Sequence, residues 1–322
     1  NDANAGDFKP DWVWIKVRED ANNHRLFDSS RGATKDLISN SNSAESTDAT
    51  RLTSFNTNGF SIGTNAEVNS NGHNIVAWQW KANGGTTSSN TDGSITSTVQ
   101  ANTTAGFSVV TYSGSNSAST IGHGLGDAPK FIFVKTRSGT ENWNIYHASL
   151  GNGGLLYLNL TNAAVTGVGT WNSTSPTSSV FSVTGNNLGV NQSGQTYVAY
   201  CFADVEGYSK FGSYIGNGST DGTFVYTGFK PAYVMVKKTN ATNGWLIWDS
   251  KRNGYNTIIY RLQASYNGSE GSDAYDWMDM LSNGFKLRKG TDGSNTNGGT
   301  YIYIAFAEHP FVSSKGVPTT AR

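Results

Sequence analysis

Apolar and polar positions alternate in short runs along this chain, and one run appears three times. In Pro10-Asp11-Trp12-Val13-Trp14-Ile15-Lys16, Val13 and Ile15 occupy one side of a period-two pattern and Trp12, Trp14 and Lys16 the other. Pro129-Lys130-Phe131-Ile132-Phe133-Val134-Lys135 and Pro231-Ala232-Tyr233-Val234-Met235-Val236-Lys237 repeat it at offsets of 119 and 102 residues. Each run predicts a strand, opened by a proline where a missing N–H costs least and filled with β-branched and aromatic residues. A second block, Phe27-Asp28-Ser29, lands without a gap on Tyr146-His147-Ala148 and Trp248-Asp249-Ser250. A third closes each copy: Ile75 to Trp80, Tyr197 to Phe202, and Tyr303 to Phe306. Repeats of this kind decide the architecture before any single motif does.

Dipeptides such as Asn58-Gly59, Asp92-Gly93, Asp221-Gly222 and Asn283-Gly284 supply turn residues between the strands. Only Ala44 to Leu52 and Asp273 to Leu281 have a pattern that suggests helix. The fold expected is all-β: three tandem homologous β-sandwiches of lectin-like or jelly-roll type, spanning 1–83, 84–206 and 207–322. The second and third copies carry apolar strands ahead of their proline, Phe107 to Tyr112 and Phe211 to Tyr214. The first has no counterpart in this sequence. The first sheet is therefore expected to be completed by upstream sequence or a neighbouring subunit, with homo-oligomerisation as the consequence.

Composition narrows the classes. Charged residues make up only 14% of the chain, and 23 basic side chains balance 23 acidic ones. No net field draws in nucleic acid, and no apolar run is long enough to insert in a membrane as a helix. Nine Trp among 12% aromatic residues provide for sizeable cores, while the single Cys201 excludes an internal disulfide framework.

The five histidines, His24, His73, His123, His147 and His309, show no metal-site spacing, and no catalytic residue, cofactor site or metal site is assigned. The nearest alternative is calcium in the Asp/Asn-rich loops Asn217 to Asp221 and Thr291 to Asn295. Trp143 and Trp245 are equivalent positions, with His24 in the first copy; they read either as core packing or as platforms for a sugar ring. Lys16, Lys135 and Lys237 are equivalent, as are Asp28, His147 and Asp249. A hairpin turning midway between the first two blocks sets Lys135 opposite Trp143 and Lys237 opposite Trp245, which predicts a cation–π contact. A weaker contact is expected between Lys16 and His24, and extension of the lysines into solvent is the alternative.

The segments Gly84 to Ile95, Gly106 to Tyr112, Gly122-His123-Gly124-Leu125-Gly126 and Ala128 to Phe131 resemble a repeat domain of virion and tail-fibre-like proteins of marine bacteriophages. Trp143-Asn144-Ile145-Tyr146-His147 and Tyr197 to Phe202 match the same pattern. The resemblance implies a non-enzymatic structural or adhesive part of a phage particle, located in the virion. Its implied partners are other virion proteins and a host surface glycan or protein. A tail fibre or external appendage is the first expectation and a capsid decoration protein the second. A carbohydrate depolymerase is the third, resting on Asp273, Asp276 and Asp279 as one helical face.

Overall fold

A computed structural model describes residues 8–185, 187, 189–271, 277–290 and 293–309, and among them the chain is all-β. In the first copy the strands are β1 (Trp12–Val17), β2 (Arg25–Asp28), β3 (Lys35–Ile38), β4 (Ser46–Thr47), β5 (Leu52–Asn56), β6 (Gly59–Ile62) and β7 (Ile75–Trp80). The second has β8 (Ser88–Asn90), β9 (Ser97–Asn102), β10 (Phe107–Ser113), β11 (Ser119–Gly122), β12 (Phe131–Thr136), β13 (Asn144–His147), β14 (Gly154–Tyr157), β15 (Val165–Thr166), β16 (Val180–Val183) and β17 (Thr196–Phe202). The third has β18 (Ser209–Ile215), β19 (Phe224–Tyr226), β20 (Pro231–Lys238), β21 (Trp245–Asp249), β22 (Leu262–Gln263), β23 (Met278–Leu281), β24 (Gly284–Leu287) and β25 (Thr300–Ala307).

The main sheets run β4-β3-β2-β1-β7, β15-β14-β13-β12-β17-β10-β9-β8 and β18-β25-β20-β21-β22. In each, the Pro-led strand lies between the second block and the closing strand. Register is preserved too. Trp12 faces Asp28 and Trp80, Phe131 faces His147 and Phe202, and Tyr233 faces Asp249 and Phe306. Smaller sheets accompany them: β5-β6, β11-β16 and β19-β24-β23.

Period-two alternation explains where the core lies. One face of each main sheet covers its own smaller sheet: Val13, Ile15 and Phe27 pack with Leu52 in the first copy, and comparable clusters form around Phe181 and Phe285. The opposite faces of all three sheets meet in one shared cluster holding Trp12, Trp14, Trp80, Phe131, Phe202, Tyr233 and Phe306. Aromatic rings from different copies interleave there. Trp12 stacks on Tyr200 at 4.5 Å between centroids, while Trp78 meets Tyr233 edge-on at 5.5 Å and Trp80 meets Phe306 at 5.6 Å.

Both segments expected to be helical take other forms. Between Ala44 and Leu52, Asp48 accepts hydrogen bonds from the backbone and hydroxyl of Thr50, and Ser46–Thr47 pairs with β3. A short polar side chain that bonds its own backbone competes with the helix. At the other site, Met278–Leu281 is a strand whose Met278 and Met280 enter the third core beside Phe285 and Leu287. Asp273 and Asp276 lie outside the described residues. The short helices are α1 (Ala66–Asn69) and α2 (Ser250–Asn253), with a 3-10 turn at Ala148–Leu150.

Candidate functional site

The repeat-equivalent positions converge on the seams between copies. Asp28, His147 and Asp249 each end the second-block strand and cap the turn that follows. Asp28 Oδ1 accepts from Arg31 N at 2.8 Å, His147 Nδ1 from Ser149 N at 3.1 Å, and Asp249 Oδ1 from Arg252 N at 3.0 Å. This use needs an acceptor on a short side chain, which aspartate and a neutral imidazole both provide.

The remaining polar atom of each cap bonds to the closing strand of another copy. Tyr200 OH donates to Asp28 Oδ2 at 2.6 Å, His147 Nε2 lies 3.3 Å from Tyr303 O, and Trp78 Nε1 donates to Asp249 Oδ2 at 3.1 Å. The second copy thus reaches the first, the third reaches the second, and the first reaches the third. The three seams close a ring.

Backbone bonds trace the same cycle. Glu45 N donates to Arg137 O at 2.8 Å, Ala164 N to Thr239 O at 2.8 Å, and Glu270 N to Arg18 O at 2.6 Å. Trp143 and Trp245 are fully buried, and their indoles donate across seams, Trp143 Nε1 to Ile38 O and Trp245 Nε1 to Tyr157 O, both at 2.8 Å. Neither ring is available to stack on a sugar. At the corresponding place in the first copy, His24 accepts from Trp14 Nε1 at 2.9 Å, and burial, with Lys16 and Arg252 nearby, holds its pKa well below the usual value. It is neutral.

The three lysines depart from expectation. Lys16, Lys135 and Lys237 are completely buried, neither over an indole nor in solvent. Lys237 does lie opposite Trp245 in the ladder. Its ammonium bends away to Lys238 O at 2.8 Å and Thr161 O of the second copy at 3.2 Å. Lys135 Nζ takes Thr136 O at 2.8 Å and Asn42 O of the first copy at 3.2 Å, and Lys16 Nζ takes Val17 O at 2.5 Å and Asp20 O at 2.7 Å. Carbonyl oxygens satisfy a buried ammonium better than a ring face does. Burial nevertheless lowers the pKa of all three to about 8.

Two seams carry ion networks. Arg31 bridges Asp28 and Glu45, with Arg137 Nε of the second copy 2.8 Å from Glu45. Arg252 bridges Asp249 and Glu270 at 2.5 Å each, with Arg18 Nη2 of the first copy 2.6 Å from Glu270. The third seam replaces this set with His147, Leu150, Ala164 and Thr239. Leu150 and Ala164 pack on the shared core there. The exchange replaces a charged set with an apolar one of the same function. Sequence reasoning missed Arg31, Glu45, Arg252 and Glu270; the available signal was that Arg31 and Arg252 each follow their capping aspartate by three residues.

Outside the seams, one open cleft of about 570 Å³ is lined by Glu141, Asn142, Tyr157, Thr184 and Asn187, which offer hydrogen-bonding groups. Burial lowers the pKa of His147 to about 4 and also depresses that of His123. Exposed His73 lies 2.6 Å from Asp20. No cluster of three metal-ligating side chains occurs among the described residues. In the loop expected to suit calcium, Asn217 Oδ1 accepts from Ser219 N and Asn295 Nδ2, and Asp221 pairs with Lys286 at 2.5 Å. Thr291 and Asp292 lie outside the described residues. Asp279 sits on a strand rather than a helical face and pairs with Arg288 at 2.5 Å.

An all-β protein whose three copies share one core is the class these contacts define. The chain belongs to the family described as a domain of unknown function (DUF7483), matched over residues 1–310, a span that includes the Pro-led strand and the closing strand of all three copies. No curated protein and no solved structure matches it.

Proposed function

We propose that this protein is a non-enzymatic structural and adhesive component of a bacteriophage particle, a tail fibre or other external appendage that contacts the host surface, built from three β-sandwiches. The closed ring of seams carries the structural part of this reading. Its capping side chains, the indoles of Trp143 and Trp245, Lys135, Lys237 and the arginines join one copy to the next and make a single body from three, as a projecting element under load requires. The assignment to a particle rests on the resemblance of the second copy to virion repeat domains. A main sheet facing a smaller one in each copy supports the sandwich description. Immunogold electron microscopy of purified virions tests the reading. Label on fibres or another external feature is expected; virions without label would overturn it, and label spread at high copy over the whole shell would favour decoration instead.

A further inference from the structure

Strand β7 has an outer edge that its counterparts do not have. The corresponding closing strands β17 and β25 are each flanked on both sides, by β12 and β10 and by β20 and β18. Among the described residues β7 pairs with β1 alone. Its backbone geometry is that of a strand awaiting a neighbour. Arg18 N donates to Asn74 O at 2.9 Å and Asp11 N to Trp80 O at 2.8 Å, which turns the even-numbered carbonyls toward β1. By antiparallel alternation, the N–H and C=O groups of Ile75, Ala77 and Gln79 point to the open side.

Burial shows the same difference. Tyr197, Val198, Ala199 and Cys201 in the second copy, and Tyr301, Ile302, Tyr303 and Ala305 in the third, are all buried. Their equivalents Ile75, Val76 and Ala77 are half-buried, and Gln79 is exposed. An edge of this kind, with apolar positions beside free backbone groups, is a template for an added strand.

The other copies indicate what covers it. Phe107 precedes Phe131 by 24 residues, and both pair with Phe202. Ser209 precedes Tyr233 by the same 24 residues, and both pair with Phe306. In each case the covering strand is antiparallel, sends alternate residues such as Val109 or Phe211 into the shared core, and sets a tyrosine on the closing strand. Tyr112 stacks on Tyr197 at 5.0 Å and Tyr214 on Tyr301 at 4.9 Å.

We infer that β7 accepts a strand of its own polypeptide that begins near the position 24 residues ahead of Trp12, upstream of Asn1. It carries alternate apolar residues and a large one opposite Ile75. The inference rests on the sheet edge and does not depend on the proposed function.

Hydrogen exchange followed residue by residue tests it, on the protein of residues 1–322 and on the polypeptide with its native preceding sequence. In the shorter protein the amides of Ala77 and Gln79 should exchange freely, and a synthetic peptide of residues Phe107–Ser113 should slow them by about tenfold or more. Ala77→Pro removes one outward N–H and should abolish that effect while leaving the amides of β1 protected. In the longer polypeptide the same amides should already be protected and insensitive to the peptide. A shorter protein that ignores the peptide would overturn the edge as an acceptor. A longer polypeptide that leaves Ala77 and Gln79 unprotected, or a native chain found by mass spectrometry to begin at Asn1, would overturn the source.

Discussion

Replacing Arg31 by leucine tests whether the ring needs its charges or only their mutual satisfaction. Arg31 is enclosed, bonded to Asp28, to Glu45 at 3.0 Å and to Leu26 O at 3.1 Å. Burial opposes its charge, but the Asp28 carboxylate beside it raises its pKa above the usual arginine value. Arg31→Leu alone leaves Asp28 fully buried with no counter-charge, a loss of about 3–5 kcal/mol. For a chain of this size that lowers Tm by on the order of 4–7 °C. The second copy contains the compensated solution, His147 with Leu150 and Ala164 in place of the aspartate, arginine and glutamate. The triple variant Asp28→His, Arg31→Leu, Glu45→Ala transfers it to the first copy. The new imidazole can accept from the backbone N–H of Ser30, as His147 accepts from that of Ser149, and donate to Tyr200 OH, and the released Arg137, one-fifth exposed, can turn to water. The loss of the bond to Leu26 O is common to both variants, so the difference isolates the stranded charge. The triple variant should fall within about 2 kcal/mol of the parent, recovering most of the single loss. Urea unfolding monitored by tryptophan fluorescence gives both values. If the triple is as unstable as the single, or the three single losses add, equivalence between the seams is refuted.

Two further outcomes follow from the geometry. Burial holds the His147 pKa at about 4, whereas the unfolded chain titrates near 6.5; stability is therefore complete above pH 6.5 and is lost as pH falls toward 4, by roughly 3 kcal/mol, and His147→Asn should flatten that window in urea melts taken between pH 4 and 7. Gly114 and Gly216 are equivalent, and a Cβ would lie 2.1 Å from Gln192 O in one and 2.3 Å from Thr296 O in the other, so Gly114→Ala or Gly216→Ala should each cost about 1–3 kcal/mol in thermal unfolding, while Gly169→Ala, with open space around it, should change little.

The Pro-led strands, their hairpin with the second block and the closing strand were legible because each is written in local period-two alternation and repeated at fixed offsets. The opposition of Lys237 and Trp245 in the ladder followed from the same count. Helices were misread where the pattern was weakest. Asp48 binds its own turn, and the methionines at 278 and 280 find their partners across a hairpin rather than along a helix.

What the sequence by itself determined is therefore the unit: which residues form its three repeated strands, which face of them is aliphatic, and that the unit occurs three times. Tertiary structure alone decided what the aromatic face is for. Alternation says that Trp12, Phe131 and Tyr233 share a side of their sheets, but it cannot say that those sides face one another, because that contact joins residues more than a hundred positions apart. The lysines show the physical reason most plainly. A lysine is ordinarily read as exposed, since an ammonium without partners does not survive burial. Lys135 and Lys237 are buried because carbonyls of Asn42 and Thr161, each from the preceding copy, come within reach once the ring has closed.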